Sequence, residues 1–203
     1  MKHGIIPIDT VLENERVLLR LLVKEDMEHL RPFAINESGI WKYSLISGAT
    51  EAGMLNYIQI ATEGFTAGHS FPFIVFDKRA GAYAGSTRFY DIQPDHQMLQ
   101  LGYTWYGNAF QGTGLNRHCK FLLFQFAFET LGMERVELRA DNDNTRSIAA
   151  MKSIGCKVDG ILRNNMPKPT GEPGRRNSIV LSVLKDEWYG EVKDLLKKQI
   201  GMD

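Results

Sequence analysis

Apolar residues recur along this 203-residue chain with two different periods. Residues 16–23, "RVLLRLLV", are almost continuously apolar and read as a buried strand, and the charged stretch after them, "KEDMEHLRPFA", suits a short helix. A second helix is predicted over residues 51–65. Residues 71–77, 82–92 and 97–106 read as strands separated by the turn-forming stretches 78–81 and 93–96, a spacing that predicts an antiparallel meander. A helix (112–131), a strand (135–140), a helix (145–154), strands at 157–163 and 178–184 and a helix (186–199) follow. The Pro- and Gly-rich stretch 166–177, "MPKPTGEPGRRN", is expected to be a mobile hairpin connection. This order predicts an α+β fold in one domain, residues 1–203, with a central mixed, mostly antiparallel sheet flanked by helices and the helix at 186–199 appended.

Phase adds detail at two places. Successive residues of a helix are about 100° apart, so Leu115, Cys119, Leu122, Leu123 and Phe126 form one stripe and Phe121, Phe124 and Phe128 another. His118, Gln125 and Glu129 are left on a narrow polar strip, and the helix is expected to be buried on most sides. In the strand before it, period-two alternation puts Gln100, Gly102 and Thr104 on one face and Leu99, Leu101, Tyr103 and Trp105 on the other.

Composition narrows the function classes. Lys plus Arg equals Asp plus Glu at 24 each, so no excess basic field draws the chain to nucleic acid or an anionic membrane. The longest nearly apolar run, 121–128, is too short to span a bilayer. Cys119 and Cys156 fall in no metal-ligand spacing, and two isolated thiols fit a reducing, cytoplasmic location without metal or disulfide framework.

The candidate chemistry gathers where a strand gives way to a helix through Gly112 and Gly114. A helix N-terminus offers unpaired N–H groups and partial positive charge, and residues without a Cβ let a phosphate oxygen approach them. Thr113 and Gly114 stand where a Walker loop would need Lys and Ser/Thr. Arg117 takes the place of the third glycine of a dinucleotide fingerprint. A plain glycine turn entering a buried helix is the other reading of "QGTG".

Three motifs taken together add to this. "QGTGLN" after the "LGYTWY" strand, Asn144 to Ser147 as N-x-x-S, and Gly160 to Arg163 as G-x-L-R resemble the GNAT superfamily of acyl-CoA N-acyltransferases, closest to its RimJ/RimL-like branch. The resemblance runs from about Arg16 to the last helix. It implies acetyl-CoA as donor, its pyrophosphate on the backbone amides of Gly112, Thr113, Gly114, Leu115 and Asn116 after Gln111. It further implies pantetheine pairing with the splayed edge at Tyr103, Thr104, Trp105 and Tyr106, a backbone N–H there polarising the thioester carbonyl. Asn144 reads both as a helix cap and, by resemblance, as a pantetheine contact. Ser147 reads as a surface residue or, by resemblance, as a donor to the departing thiolate.

Two positions depart from the family pattern. Gln100 stands where many relatives carry a glutamate base, and Met151 where many carry a tyrosine acid. Gln100 is left to hold water or acceptor by hydrogen bonding; Glu137 is a candidate base through water or a partner of Arg135 and Arg139. Trp41 and Tyr43 are candidates for the wall of the acceptor site, or core aromatics. An α-amino group has a reference pKa of about 7.7 to 8.0 against about 10.4 for lysine, so a site without a strong base suits a protein or peptide N-terminus or another low-pKa small amine. The expected function is acetyl transfer to such an amine by a monomer or homodimer. The competing reading is a catalytically silent CoA-binding regulatory module; an RNA-binding protein has only local Arg pairs such as Arg175 and Arg176 behind it.

Overall fold

The computed structural model of the chain describes residues 5–169 and 173–202. Its strands, β1 (Val11–Glu13), β2 (Val17–Leu21), β3 (Ser70–Asp77), β4 (Ala82–Gln93), β5 (Met98–Tyr106), β6 (Arg135–Asp141), β7 (Lys157–Pro167) and β8 (Arg175–Leu184), form one sheet in the order β1-β2-β3-β4-β5-β6-β8-β7. The predicted meander is present, since β3 pairs antiparallel with β4 and β4 with β5. Only β5 and β6 run parallel, as their connection through a helix requires. β7 and β8 reach further into the 166–177 stretch than their sequence pattern indicates, and residues 170–172 lie outside the described residues. Short β1 lacks the apolar run that marks the other strands.

The helices are α1 (Met27–Asn36), α2 (Glu51–Thr66), α3 (Leu115–Gln125), α4 (Thr145–Ser153) and a C-terminal α5. A π-helical turn, Phe126–Thr130, extends α3. α5 consists of Lys185–Glu187, a π-helical turn Trp188–Val192 and Lys193–Ile200. One core joins α3, α4 and α5 to a sheet face through Leu99, Leu101, Leu115, Phe121, Leu123, Val136, Met151, Leu181 and Trp188. The opposite face meets α1 and α2 in a second core built on Leu30, Trp41, Tyr57, Ile74 and Trp105. The two apolar stripes of α3 are explained by this arrangement: one lies on the sheet while Phe121, Phe124 and Phe128 pack against Trp188 of α5. The Trp188 indole N–H donates to Glu129 at 2.9 Å, and Lys193 pairs with the same carboxylate at 2.8 Å.

Gly85 fixes how closely β4 and β5 approach at the end of β5. A Cβ there would lie 2.1 Å from the Trp105 carbonyl oxygen, a backbone atom that cannot yield without breaking the pairing of Gly85 with Tyr106. Gly85→Ala is therefore expected to lower unfolding free energy by about 3 kcal/mol or more. Gly81→Ala, at φ 64° with nothing within 4 Å of the new Cβ, should cost only about 1–2 kcal/mol. Urea denaturation of the two variants checks the difference.

Candidate active site

The parallel pairing of β5 with β6 stops early. It runs Met98↔Arg135, Leu99↔Val136 and Gln100↔Glu137, although β5 continues to Tyr106 and β6 to Asp141. The cause is a bulge in β5. Ser86 pairs with Trp105 and Arg88 with Gly102, so Tyr103 and Thr104 face Thr87 alone, and Tyr103 adopts φ 49°. A bulge bends and twists its strand, while β6 is paired with β8 along its whole length. The strands diverge, and the backbone of Tyr103–Tyr106 borders the resulting wedge. The bulge also breaks the expected alternation: the Thr104 hydroxyl turns to the α3 face, where Lys120 donates to it at 3.0 Å, while Tyr103 and Trp105 join Gln100 on the α1/α2 side.

At one end of the wedge lie the starts of α3 and α4. Gly112 and Gly114 have φ 76° and 88°, values favoured by glycine, and nothing stands within 4 Å of either would-be Cβ. The first turn of α3 holds no acidic residue, although carboxylates are favoured there, and Arg117 is exposed in it. Gln111 ties the region together, its amide nitrogen donating to the Tyr106 carbonyl at 2.7 Å and its oxygen accepting from Arg146 of α4. Thr113 donates to the Phe110 carbonyl at 2.8 Å, and Asn116 accepts from the Tyr106 hydroxyl at 3.2 Å. First-turn amides, of which that of Leu115 makes only a 3.5 Å contact with the Thr113 hydroxyl, two glycines and the Arg146 guanidinium held on Gln111 make a cradle that fits a phosphate. His118 instead contacts Asn14 and Glu15, burial lowering its pKa.

Asn144 caps α4, its side-chain oxygen accepting from the Ser147 N–H at 3.1 Å. Such a cap is worth about 1 kcal/mol. Ser147 is half-buried, and its hydroxyl has no hydrogen-bond partner among the described residues. Met151, in the position many relatives give to tyrosine, is packed in the core.

On the α1/α2 side, Gln100 is buried and its amide nitrogen donates to Asp91 at 2.6 Å, which leaves its oxygen without a partner. Both oxygens of Glu137 are occupied, by Arg139 at 2.6 Å and Arg135 at 3.1 Å, so the ion-pair reading of this residue is the one found. Trp41 is also placed differently from the wall expected: at 1% exposure it is a core residue packed on Tyr57 and Trp105. Gly48 makes room for its ring, with a would-be Cβ 2.6 Å away. Tyr43 does reach across the site. Its hydroxyl donates to the Asp143 carbonyl at 3.4 Å, just before α4, and its own carbonyl accepts from Arg176 of β8 at 3.2 Å.

Two buried cations were not singled out by the sequence. Arg88 of β4 faces Tyr57 and Tyr103, and Lys120 of α3 is 4% exposed with no carboxylate partner among the described residues. Lys120 falls in phase between the two predicted apolar stripes, and a lone lysine in such a helix reads as a surface residue. Burial pushes its pKa down to about 8. It therefore brings an amine close to its titration point near neutral pH to the bulged part of β5.

Residues 16–157 match the acetyltransferase (GNAT) domain, and the chain belongs to that family of acetyltransferases. A GCN5-related N-acetyltransferase from Brucella melitensis has the same fold, with a TM-score of 0.85 at 23% identity over 95% of this chain and 86% of that one. Mycobacterium smegmatis RimJ, solved in complex with CoA-disulfide, aligns with a TM-score of 0.76 at 15% identity, over 93% of this chain and 92% of its own. The Bacillus subtilis (strain 168) protein named "Putative ribosomal N-acetyltransferase YdaF" is 25% identical over 189 residues, 88% of this chain and 96% of the relative. Among the described residues no cluster of metal-ligating side chains exists, and no helix is long and apolar enough to cross a membrane.

The depressed pKa of Lys120 has a consequence for stability. Below about pH 8 both folded and unfolded chains carry the proton, and the folded state bears the whole cost of burying the charge. Between about 8 and the ordinary lysine value the unfolded chain binds more protons, so stability rises with pH. Lys120→Met should therefore be the more stable form at pH 7, by up to about 3 kcal/mol, with the gap narrowing toward pH 10. Urea unfolding of both forms at the two pH values tests this.

Proposed function

We propose that the protein transfers the acetyl group of acetyl-CoA directly to a primary amine, with the donor lying along the wedge between β5 and β6. The observation that carries this reading is the early end of the β5–β6 pairing, beside a glycine-led helix start free of acidic residues. In this reading the amides of Gly112–Asn116 hold the pyrophosphate, with Arg117 and Arg146 adding charge. The backbone of Tyr103–Tyr106 pairs with pantetheine, and Asn144 supports the same stretch while capping α4. The CoA-bound RimJ structure, which shares the fold, supports this use of it.

The chemistry needs no protein nucleophile. The neutral amine attacks the thioester carbonyl carbon, the C–N bond forms, the C–S bond breaks, and the thiolate leaves and takes up a proton as the amine sheds one. A backbone N–H at the bulge polarises the carbonyl, an interaction that strengthens as negative charge develops. Ser147, whose hydroxyl is free, donates to the departing sulfur. The unpartnered oxygen of Gln100 accepts from the amine or from a water that carries its proton away. Glu137, held by two arginines, keeps the sheet face in order.

Such a site favours an acceptor that is already substantially neutral near pH 7.5, such as a peptide α-amino group. The name of the Bacillus subtilis relative is consistent with a protein acceptor. The two buried free thiols suit a cytoplasmic enzyme. A silent CoA-binding module is favoured by one specific observation, the core packing of Met151 in place of a proton donor.

Gly114→Val places a branched side chain over the α3 amides. Acetyl-CoA affinity, measured by calorimetry, is expected to fall at least tenfold. Gly132→Val, which has similar backbone strain at φ 68° outside the wedge, should leave it unchanged. Equal affinity in folded Gly114→Val would remove this reading of the cradle. Ser147→Ala should lower turnover about tenfold or more with little change in acetyl-CoA affinity, because its hydrogen bond is strongest in the transition state. Turnover should rise with pH up to the acceptor's pKa. Tight acetyl-CoA binding with no transfer to any amine from pH 6 to 10 would instead establish the silent module.

A further inference from the structure

Arg88 is buried to 3% exposure, yet no hydrogen bond or ion pair satisfies it among the described residues. Its Nε and one terminal nitrogen are sealed from solvent without an acceptor, and it forms no ion pair with a carboxylate among the described residues. What surrounds it is aromatic: the guanidinium carbon lies 4.2 Å from the Tyr103 ring centroid and 5.4 Å from that of Tyr57. Stacking of this kind orients a guanidinium, and with Nε and Nη2 sealed it is Nη1 that stays open to a ligand. The other arginines buried on their ion-paired side offer a contrast, since Arg16 holds Asp77 and Arg20 holds Asp26 through two bonds each. A buried guanidinium answered only by aromatic faces keeps unused hydrogen-bonding capacity that an anion can take up.

Its place in the sheet says where that anion goes. Arg88 pairs with Gly102, immediately before the bulge, and Tyr90, two residues along β4, pairs with Gln100 at the last rung before the strands diverge. Gly102 has no side chain to come between them; a Cβ there would meet the Tyr90 ring at 2.9 Å. Arg88, Tyr90, Gln100 and Tyr103 thus share the sheet face toward α1 and α2, with the orphaned Gln100 oxygen one strand away from the guanidinium. Arg176, whose Nε is also unpartnered, lies on the same face near Tyr103, although its charge is partly answered by Asp141 at 3.8 Å.

Resting on the acetyl-transfer reading of the wedge, we infer that the acceptor amine carries a carboxylate a few ångströms from its nitrogen and that Arg88 binds that carboxylate. The acceptor amine then faces Gln100 and the bulge, and the carboxylate meets the guanidinium that Tyr57 and Tyr103 hold, at its unsealed Nη1. Two sources supply this chemistry, the α-carboxylate of a free amino acid and the acidic side chain of a peptide's N-terminal residue.

The test compares matched acceptors. Free amino acids are paired with their amides, and peptides beginning with Asp or Glu with those beginning with Asn or Gln. For the full chain with acetyl-CoA, kcat/KM is expected to favour the carboxylate member of at least one series by tenfold or more, and the series that shows it identifies the source. Arg88→Met should erase that preference mainly through KM, and Arg88→Lys should restore part of it. Melting supplies the readout that separates this from a packing role: Arg88→Met removes a buried orphan charge and should leave the melting temperature equal or higher. Binding of the N-acetylated acid and of its amide to the CoA-loaded protein, followed by calorimetry, makes the test independent of turnover. Selective binding of the acid, lost in Arg88→Met, upholds the carboxylate site even if transfer is absent and the acetyl-transfer reading falls. Transfer without carboxylate preference, a preference that survives Arg88→Met, absence of both binding and transfer, or a melting temperature lowered in Arg88→Met would overturn the carboxylate assignment.

Discussion

The bulge at Tyr103 and Thr104 is the constraint on which the rest of the site depends. A regular β5 would continue its parallel ladder with β6 beyond Gln100 and Glu137 and close the sheet where the two strands now diverge. The extra residue bends β5, leaves part of its edge unpaired, and sends Thr104 toward Lys120 on one side and Tyr103 toward Arg88 on the other. Unpaired backbone is expensive where water cannot reach it, and in the proposed complex an extended ligand would supply the missing partners. The Tyr57 hydroxyl, which donates to the Tyr103 carbonyl at 3.1 Å, holds the bulge in place from α2.

The two faces of the sheet divide the work. On the α3 side the glycines and the adjoining starts of α3 and α4 gather N–H groups and the guanidinium of Arg146, with Arg117 exposed in the first turn of α3, an arrangement suited to a phosphate-bearing donor. On the α1/α2 side the polar groups are fewer and more deeply buried, and Arg88 and the Gln100 oxygen lack partners. Natural cores satisfy nearly all such groups. The aromatic packing of Trp41, Tyr57 and Trp105 lies on the same side of the bulge.

Most of the architecture was legible in the chain. Strands β2 to β6 announce themselves by apolar runs and turn residues, and α3 by two apolar stripes whose second meaning becomes clear once Trp188 covers it. The resemblance to the GNAT superfamily, read from "QGTGLN" and the N-x-x-S of Asn144 to Ser147, agrees with the family match. The direction of Thr104 was not legible, because period-two counting assumes a regular strand and nothing in "GYTWY" marks a residue at φ 49°. Lys120 and Arg88 were missed for a related reason: burial of a charge depends on what the tertiary structure folds over it. Trp41 was open to two readings, and its burial against Tyr57 and Trp105, which the close approach of Gly48 permits, is a tertiary feature that the local sequence does not mark.

The central claim is that the wedge and the start of α3 form one continuous binding surface for acetyl-CoA. Amide hydrogen exchange with and without acetyl-CoA tests it most directly, because it reads the backbone N–H groups on which the claim rests. The account predicts added protection at residues 103–106 and 112–116 together, with little change in β2 and β3. Protection confined to one of the two segments, or found elsewhere on the sheet while both remain unchanged, would contradict it.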